Sequence, residues 1–556
     1  MSQQNVINFL KDIALLMELA GENVFKTRAF QNGARAIQGL EEDQFEQLVQ
    51  EDKLREIPGI GAGLEEAILG VLSTGTAQVY EKLQEKIPLS LLDLFKIPGL
   101  GAKRIRKLYQ ALQITSLGEL EYACAENRLL QLPGFGKKSQ ASILKEIALL
   151  KSYQDSYLYS QAKPLAQDLL AELKHFYPKA AFQLAGALRR RLEVVDKIEI
   201  LCTGLTAQDF LKSKDHPLAD PILKGSSIRA QTKESFPAVI HFSSKERKGT
   251  ALIYSTGSKA HLRHLEKKSP LPAAPGEEEV YQKMNLPFIP PELREGCFEF
   301  DLQEDFSSLV TLEDIQGVFH NHSNYSDGIN TLEEIALHGK KLGYTYIGLA
   351  DHSQSAFYAR GLKPADLLRQ MEEIDAVNQE YEGITLLKGL EADILPDGSL
   401  DCKDELLAQL DYSVASVHSS FKMTKEEMTK RIIKALANPY VNILGHPTGR
   451  LLLAREPYAL DLEEIIEACR RYGVVLEINA NPQRLDLDWR WARRAWDKGV
   501  FLAINPDAHR LSGYDFTKYG VYTARKAGLP KEAILNTRSL KEVKRILKSL
   551  KEGNRK

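Results

Sequence analysis

Cysteine is scarce in this chain. Its 556 residues hold five, Cys124, Cys202, Cys297, Cys402 and Cys469, each standing alone with no CxxC pair. That excludes a disulfide framework and a cysteine zinc site. Excess positive charge is also missing: 73 Lys and Arg stand against 75 Asp and Glu, for a net charge of −2. No whole-molecule field draws the chain to a polyanion, so any nucleic-acid contact must come from local patches. Long apolar runs are absent as well. The N-terminal MSQQNVINFLKDIALLMELA is amphipathic and broken by charges. It has neither the h-region of a secretory signal nor the character of a membrane span. A cytoplasmic protein without a membrane segment is expected. What the chain does have is a 43% hydrophobic share, enough for real cores, and a length that calls for two to five domains.

A short motif recurs three times: IPGIGA at 57–62, IPGLGA at 97–102 and LPGFGK at 132–137. Each follows one helical pattern and opens another, as a helix–hairpin–helix unit does. The glycine pairs, Gly59 and Gly61, Gly99 and Gly101, Gly134 and Gly136, allow backbone angles closed to other residues. The N–H groups at the next helix start can then face a phosphate oxygen. Lys103, Arg104, Arg106 and Lys107 follow the second turn, and Lys137 and Lys138 the third, so phosphate contact is expected there. Glu65 and Glu66 follow the first, which suits it less.

From about residue 152 to 305 the pattern is mixed α/β. Strands are expected at 183–186, 197–202, 238–242 and 251–254, with KSKDHPLADP and KKSPLPAAPGEEE as loops. After Gly317 apolar runs alternate with amphipathic helices: YIGLA, ITLLKGLE, YSVASVH, VNILGH, VVLEINA, FLAINPD. Repeated βα units of this kind form a parallel sheet or barrel, with the active site at the strand C-termini.

Seven of the twelve histidines lie after Gly317, and six of them sit at strand ends. His320 and His322 form an alternate-position pair, whose imidazoles share a strand face. Asp327 follows in SDG, His352 in LADHS, Glu391 in LLKGLE, His418 in VASVH and His446 in NILGH. Asp507 and His509 close the set in NPDAH. Nine nitrogen and oxygen donors without a thiolate suit zinc, manganese or iron, and suffice for two or three divalent ions. Such centres clamp the oxygens of a phosphate ester and activate water. His338, inside a helical pattern, is left outside the set.

Residues 317–509 resemble the polymerase-and-histidinol-phosphatase (PHP) domain, through HNH, SDG, ADHS, GLEADI, VHSSF, GHPTGR and PDAH. Val318 departs from the acidic residue the family often has there. The resemblance implies a distorted (βα)7 barrel and a ligand assignment. One ion would sit on His320, His322, Glu391 and Asp507. A second would share Glu391 with His418 and His446, and a third would take Asp327, His352 and His509. Manganese is the implied first choice, with zinc or iron as alternatives. The rest of the chain resembles bacterial family X DNA polymerases, through YSTGSKAH, LPFIPPELREG and the hairpins. The implied order is an N-terminal helical domain (1–85), a fingers-like hairpin domain (86–150), a nucleotidyltransferase palm (151–235), a thumb-like domain (236–312) and the PHP domain (313–556).

Departures from that family bear on function. Ala187 replaces a serine expected at the nucleotide triphosphate, and Asp196-Lys197-Ile198-Glu199 replaces Gly-Asp-x-Asp. The third aspartate falls on Val239. A lysine repels the cation that two-metal nucleotidyl transfer needs, and a valine offers no ligand. The palm therefore reads as degenerate at Lys197, Glu199 and Val239, with Arg189, Arg190 and Arg191 still available to grip DNA. Gly63 and Ala67 stand where some members carry a Schiff-base lysine, so that chemistry lacks its nucleophile. A monomeric, metal-dependent 3′→5′ exonuclease is expected, acting on gapped, recessed or single-stranded DNA 3′ ends in repair. It would catalyse 3′-end or abasic-site processing, with its catalytic residues at His320, His322, Glu391 and Asp507. The alternatives are an active gap-filling polymerase with an attached nuclease, a non-catalytic DNA scaffold and a small-molecule phosphatase.

Overall fold

A computed structural model describes residues 3–38, 40, 42–151, 156–212, 217–233, 235–267, 269–302 and 306–553. The chain divides into two compact units, Met1–Ala148 and Leu149–Lys556.

The first unit is helical. Helix Gln3–Ala20 buries Val6, Leu10, Ile13, Ala14 and Met17. Their three- and four-residue spacing makes one apolar stripe, on which neighbouring helices pack. The three glycine turns are superimposable in hydrogen bonding. The residue between the glycines donates its N–H three residues back each time: Ile60 to Ile57, Leu100 to Ile97, Phe135 to Leu132, at 3.0, 3.1 and 3.0 Å. Ile57 and Ile60, Ile97 and Leu100, and Leu132 and Phe135 are buried and fix each turn to the helices beside it. Helices Ala62–Thr74, Ala102–Leu112 and Lys137–Lys151 start directly after the turns.

The second unit is α/β. One sheet has the strand order Ala181–Ala185, Ile198–Thr203, Pro237–Ser243, Ser227–Gln231, Ala219–Lys224. Alternation sorts the second strand by face. Ile198, Ile200 and Cys202 enter a core with Leu169, Leu173 and Phe210, while Glu199 lies on the other face. Three expectations change here. The sheet runs past the boundary at 235, because the strand Pro237–Ser243 pairs in parallel with Ile198–Thr203. Residues 251–254 are not a strand but part of helix Lys248–Thr256. Periodicity cannot separate short buried strands from short buried helices. Thr250 ties the helix start to its neighbour, donating to Pro272 O at 2.7 Å and accepting from Ala274 N at 3.0 Å. Of the loop expected over 212–221, residues 213–216 lie outside the described residues, and Ala219–Lys224 is a strand.

Beyond Gly317 the strands are short and parallel. Gly317–Val318, Tyr346–Gly348 and Thr385–Leu387 form one sheet, and Glu391–Asp393, Val414–Ser416, Ile443–Leu444, Val475–Asn479 and Leu502–Asn505 another. Two parallel bridges join them. His352 pairs with Glu391 on one side, and Asn321 with Ala508 on the other. Thr385–Leu387 and Glu391–Asp393 are the two halves of one broken strand, so seven strands among the described residues close an irregular barrel. The strands are buried on both sides, because helices such as Leu332–Leu342 and Leu462–Tyr472 cover the outside. No helix among the described residues is long and apolar enough to cross a membrane.

Candidate metal centre and nucleic-acid interface

All nine donors predicted from the sequence meet at one rim of the barrel. His320 and His322 follow the first strand, His352 the second, His418 and His446 the strands Val414–Ser416 and Ile443–Leu444. Asp507 and His509 follow Leu502–Asn505, and Glu391 sits at the break. All nine are at most partly exposed at their rims, and most are fully buried. Their ligand atoms lie within 4.8 Å of one another in overlapping sets: His322, Asp327, His352 and His509; His320, His322 and Glu391; His320, His446 and Asp507; His352, Glu391 and His418. His322 and His352 each belong to two sets, so they join the groups that the resemblance had kept apart.

The contacts inside the cluster are those of converging ligands. His352 Nδ1 is 2.7 Å from Glu391 Oε2, yet neither atom makes a hydrogen bond. His320 Nε2 and His418 Nε2 each lie 3.2 Å from Glu391 Oε1, and His446 Nε2 lies 3.0 Å from it. Nitrogen and oxygen lone pairs left buried and unsatisfied are costly unless something positive joins them. The donor set thus fits divalent cations, and its chemistry is that of borderline and hard ions.

The outer nitrogens are held from behind. His320 Nδ1 contacts Glu477 Oε1 at 2.8 Å, which leaves Nε2 for the centre. His509 Nδ1 is 3.0 Å from the Asp507 carbonyl. Partners of this kind fix the tautomer and the ring orientation of a ligating histidine. Glu477 does more. Its other oxygen accepts from the His446 backbone N–H at 2.6 Å, and Asn505 Nδ2 donates to Oε1 at 2.9 Å. Sequence reading passed over Glu477. Its signal was present: a single acid inside VVLEINA, a run that a barrel buries on both faces.

Backbone and electrostatics agree with a built site. His446 and Asp507 have φ of +24° and +53°. Non-glycine residues in that region are strained and persist where the surroundings over-determine them. Gly445 precedes His446 because a Cβ there would meet Ser416 Oγ at 2.4 Å. Burial by itself would raise the carboxyl of Glu391, yet His418, His320 and His352 hold it well below the usual carboxylate range. Asp507 is held down the same way by His320, His322 and His509 against its burial. His446 shifts to about 4, through burial first and Arg484 second. The acids are charged and His446 is neutral near pH 7, while the same carboxylates hold His320 and His418 well above the ordinary imidazole range, so a divalent ion binding there would displace their protons.

In the palm sheet, Glu199 and Val239 are register partners on adjacent parallel strands. Glu199 packs against Gly186 and lies 3.4 Å from His241 Nε2, whose Nδ1 is 2.9 Å from Ser227 Oγ. Lys197 Nζ stands 3.9 Å from Asp196. These positions hold one carboxylate facing a histidine.

Several cations expected at DNA are engaged inside the fold. Arg190 donates to Glu295 at 2.9 Å and to the Thr256 carbonyl at 2.5 Å, with its side chain 13% exposed. Arg189 binds Glu277, and Arg191 lies over the Tyr522 ring. The triplet ties the palm to its neighbours instead of facing solvent, because buried Glu277 and Glu292 and half-buried Glu295 require partners. Arg104 also turns inward, donating to Gly99 O and Gly134 O and lying over Phe135, so it links two hairpins. Lys107 donates to Pro133 O and Arg106 to Leu19 O. Lys103, Lys137 and Lys138 are exposed.

The hairpin glycines are bare for different reasons. Gly59, Gly99 and Gly134 have φ of +91°, +82° and +89°, which demands glycine. Gly61 and Gly101 are extended at φ −99° and −85°, and a Cβ on either meets nothing within 4 Å. Neither strain nor crowding explains glycine there.

The irregular barrel with its histidine–carboxylate rim is a PHP domain, and residues 319–481 match that family. Residues 1–77 match a helix-hairpin-helix domain, and 91–148 a SAM-like helix-hairpin-helix tandem. Over its full length the chain is similar to the DNA polymerase/3′-5′ exonuclease PolX of Bacillus subtilis (strain 168), with 36% identity over 99% of this chain and 100% of the relative. It belongs to the family X DNA polymerases that carry helix–hairpin–helix domains and a C-terminal PHP domain. A probable phosphatase of Thermoanaerobacter sp. (strain X514) is 29% identical over 43% of this chain and 95% of its own length. Another, from Caldanaerobacter subterraneus, is 28% identical over 41% and 89%.

Proposed function

We propose that this chain is a metal-dependent DNA phosphodiesterase that shortens strands from their 3′ ends, with a palm that helps hold DNA and has lost synthesis. The observation that carries the reading is the convergence of nine nitrogen and oxygen donors at one buried rim. A full-length relative named as polymerase and 3′-5′ exonuclease, and barrel-length relatives named as probable phosphatases, support phosphate-ester hydrolysis.

Two or three divalent ions, manganese before zinc or iron, would neutralise phosphate charge and activate water there. His320, His322, Glu391 and Asp507 would hold one, Glu391 with His418 and His446 a second, and Asp327, His352 and His509 a third. Glu477 keeps the His320 proton on Nδ1 and orients its ring. The Asp507 carbonyl does the same for His509. Buried Arg484, with Nε 3.8 Å from Asp507 Oδ2, offsets the charge of that acid from the side opposite the histidines. The deciding experiment measures nucleotide release from end-labelled single-stranded, recessed and abasic DNA, with each metal in turn. Manganese-dependent removal of 3′ nucleotides is expected. No release with any metal would overturn the reading.

Loss of synthesis follows from Lys197 and Val239. Two carboxylate positions are missing, so the palm cannot neutralise a triphosphate with two cations. Primer extension with magnesium or manganese is expected to show no incorporation. Template-directed extension would favour the second reading, an active gap-filling polymerase, which the full-length likeness to a named polymerase supports.

DNA affinity is assigned to the hairpin backbone together with Lys103 and Lys137. Changing both lysines to alanine should weaken binding alike for all sequences. It should also flatten the salt dependence by roughly one unit of log–log slope per lost phosphate contact. Arg104 is left out of this test because it links two turns. An unchanged slope would place the DNA elsewhere.

A further inference from the structure

The loop after His352 presents an aromatic side chain that packing does not explain. Phe357 is 69% exposed, one of the largest apolar exposures in the second unit. It sits in a short turn, Phe357–Ala359, between the second barrel strand and helix Pro364–Glu380. Its ring meets Tyr358 edge-on at 5.8 Å, and Tyr358 meets the His352 ring at 6.2 Å. His352 is in turn 5.1 Å from the His418 ring. The exposed phenyl is thus two ring contacts from the donor cluster.

The loop is rigidly held, which makes the exposure a fixed one. Asp401 accepts from Ser353 Oγ at 2.6 Å and from Ser355 N at 2.8 Å, and Gln354 Nε2 donates to the Asp401 carbonyl at 2.7 Å. Leu362 N returns to His352 O at 2.7 Å, closing the loop at its base. Gly361 lies against Ser353, where a Cβ would come within 1.8 Å of its carbonyl oxygen. Arg360 binds the Ser326 carbonyl beside Asp327. Nothing inside the fold calls for a phenyl ring on top of this clamp, since the residue buries little surface of its own.

We propose that Phe357 is a stacking platform for a nucleobase next to the scissile phosphate, and so a specificity-determining residue of the nuclease. The proposal rests on the phosphodiesterase reading above and adds the class of group recognised: a base, of any sequence. An aromatic face stacks every base, which gives sequence-tolerant affinity. The clamped loop lowers the ordering cost of that contact. A phosphomonoester without a base gains nothing from it, which separates a nucleic-acid nuclease from a small-molecule phosphatase on the same barrel.

The test uses the full-length protein with manganese, comparing wild type with Phe357→Ala and Phe357→Trp. One substrate is a single-stranded oligodeoxynucleotide with normal 3′-terminal bases. A second has base-free residues at its 3′ end, and a third is glycerol 3-phosphate, a phosphomonoester without an aromatic ring. Phe357→Ala should lose about ten-fold or more in kcat/KM on the first substrate alone, mainly through KM, and Phe357→Trp should restore it. Equal losses on all three would make Phe357 structural, and no loss on any would remove the platform; either overturns the proposal. Binding gives an independent readout. 2-Aminopurine at the 3′ end, behind a phosphorothioate linkage, should be quenched by wild type and Phe357→Trp but not by Phe357→Ala. If wild type cleaves none of the substrates, the nuclease reading fails, and the quenching still decides whether a base stacks on Phe357.

Discussion

His320→Ala and Asp507→Ala are each expected to abolish nuclease activity while DNA binding survives. The two residues stand at opposite ends of the barrel segment, after its first and last strands. No local unit joins them, so a shared phenotype requires a shared site. Both ligand atoms fall in one group with His446, and His320 Nε2 is 3.7 Å from Asp507 Oδ1. Losing either donor should release or misplace an ion, and the rate should fall by orders of magnitude. DNA affinity should persist, because it is assigned to the hairpins of the first unit. His338→Ala is the control. It lies on helix Leu332–Leu342, edge-on to Tyr514 at 5.6 Å, away from the nine donors. Exonuclease rates with equilibrium binding on the same DNA check all three variants. Normal cleavage by the His320 and Asp507 variants would move the nuclease centre elsewhere.

The second large effect is expected at Glu477, which is assigned to no metal itself but holds two residues that are, His320 and His446. Glu477→Gln keeps the side-chain shape but removes the charge that holds His320 Nδ1–H and the His446 N–H. Activity should fall about 10- to 100-fold, the usual cost of losing a partner behind a ligating histidine. The manganese concentration for half-maximal rate should rise with it, which a purely structural change would not cause. Glu477→Ala goes further. It strips the acceptor from His320, His446 and Asn505 at once, in a fully buried place. Breaking a buried charged network by removing one member costs about 3–5 kcal/mol. Denaturant unfolding would show that loss, and manganese titration of the glutamine variant would show the other. Full activity of Glu477→Gln at low manganese would end the positioning role.

Much of this protein was written in its one-dimensional pattern, and for a physical reason. Parallel βα units place each strand's C-terminal end at one rim, so nine polar residues read at strand ends had to converge. The three glycine turns were equally plain, because only glycine takes the φ of Gly59, Gly99 and Gly134. Other features depended on what lies nearby in space. Arg190 and Arg104 read as phosphate ligands along the chain. The fold supplies Glu295 to the first and the carbonyls of two turns to the second, and an arginine goes to whichever acceptor is desolvated with it. Residues 251–254 had the apolar run of a strand but form part of helix Lys248–Thr256, since a short apolar run alone does not separate the two. Glu477 looked like one acid among many, until closure of the barrel set it behind His320 and His446. Sequence alone determined which atoms could hold metal, because that is a property of residue type and strand period. Tertiary structure decided which cations stay exposed and which acid orients the donors, because both depend on partners distant in the chain.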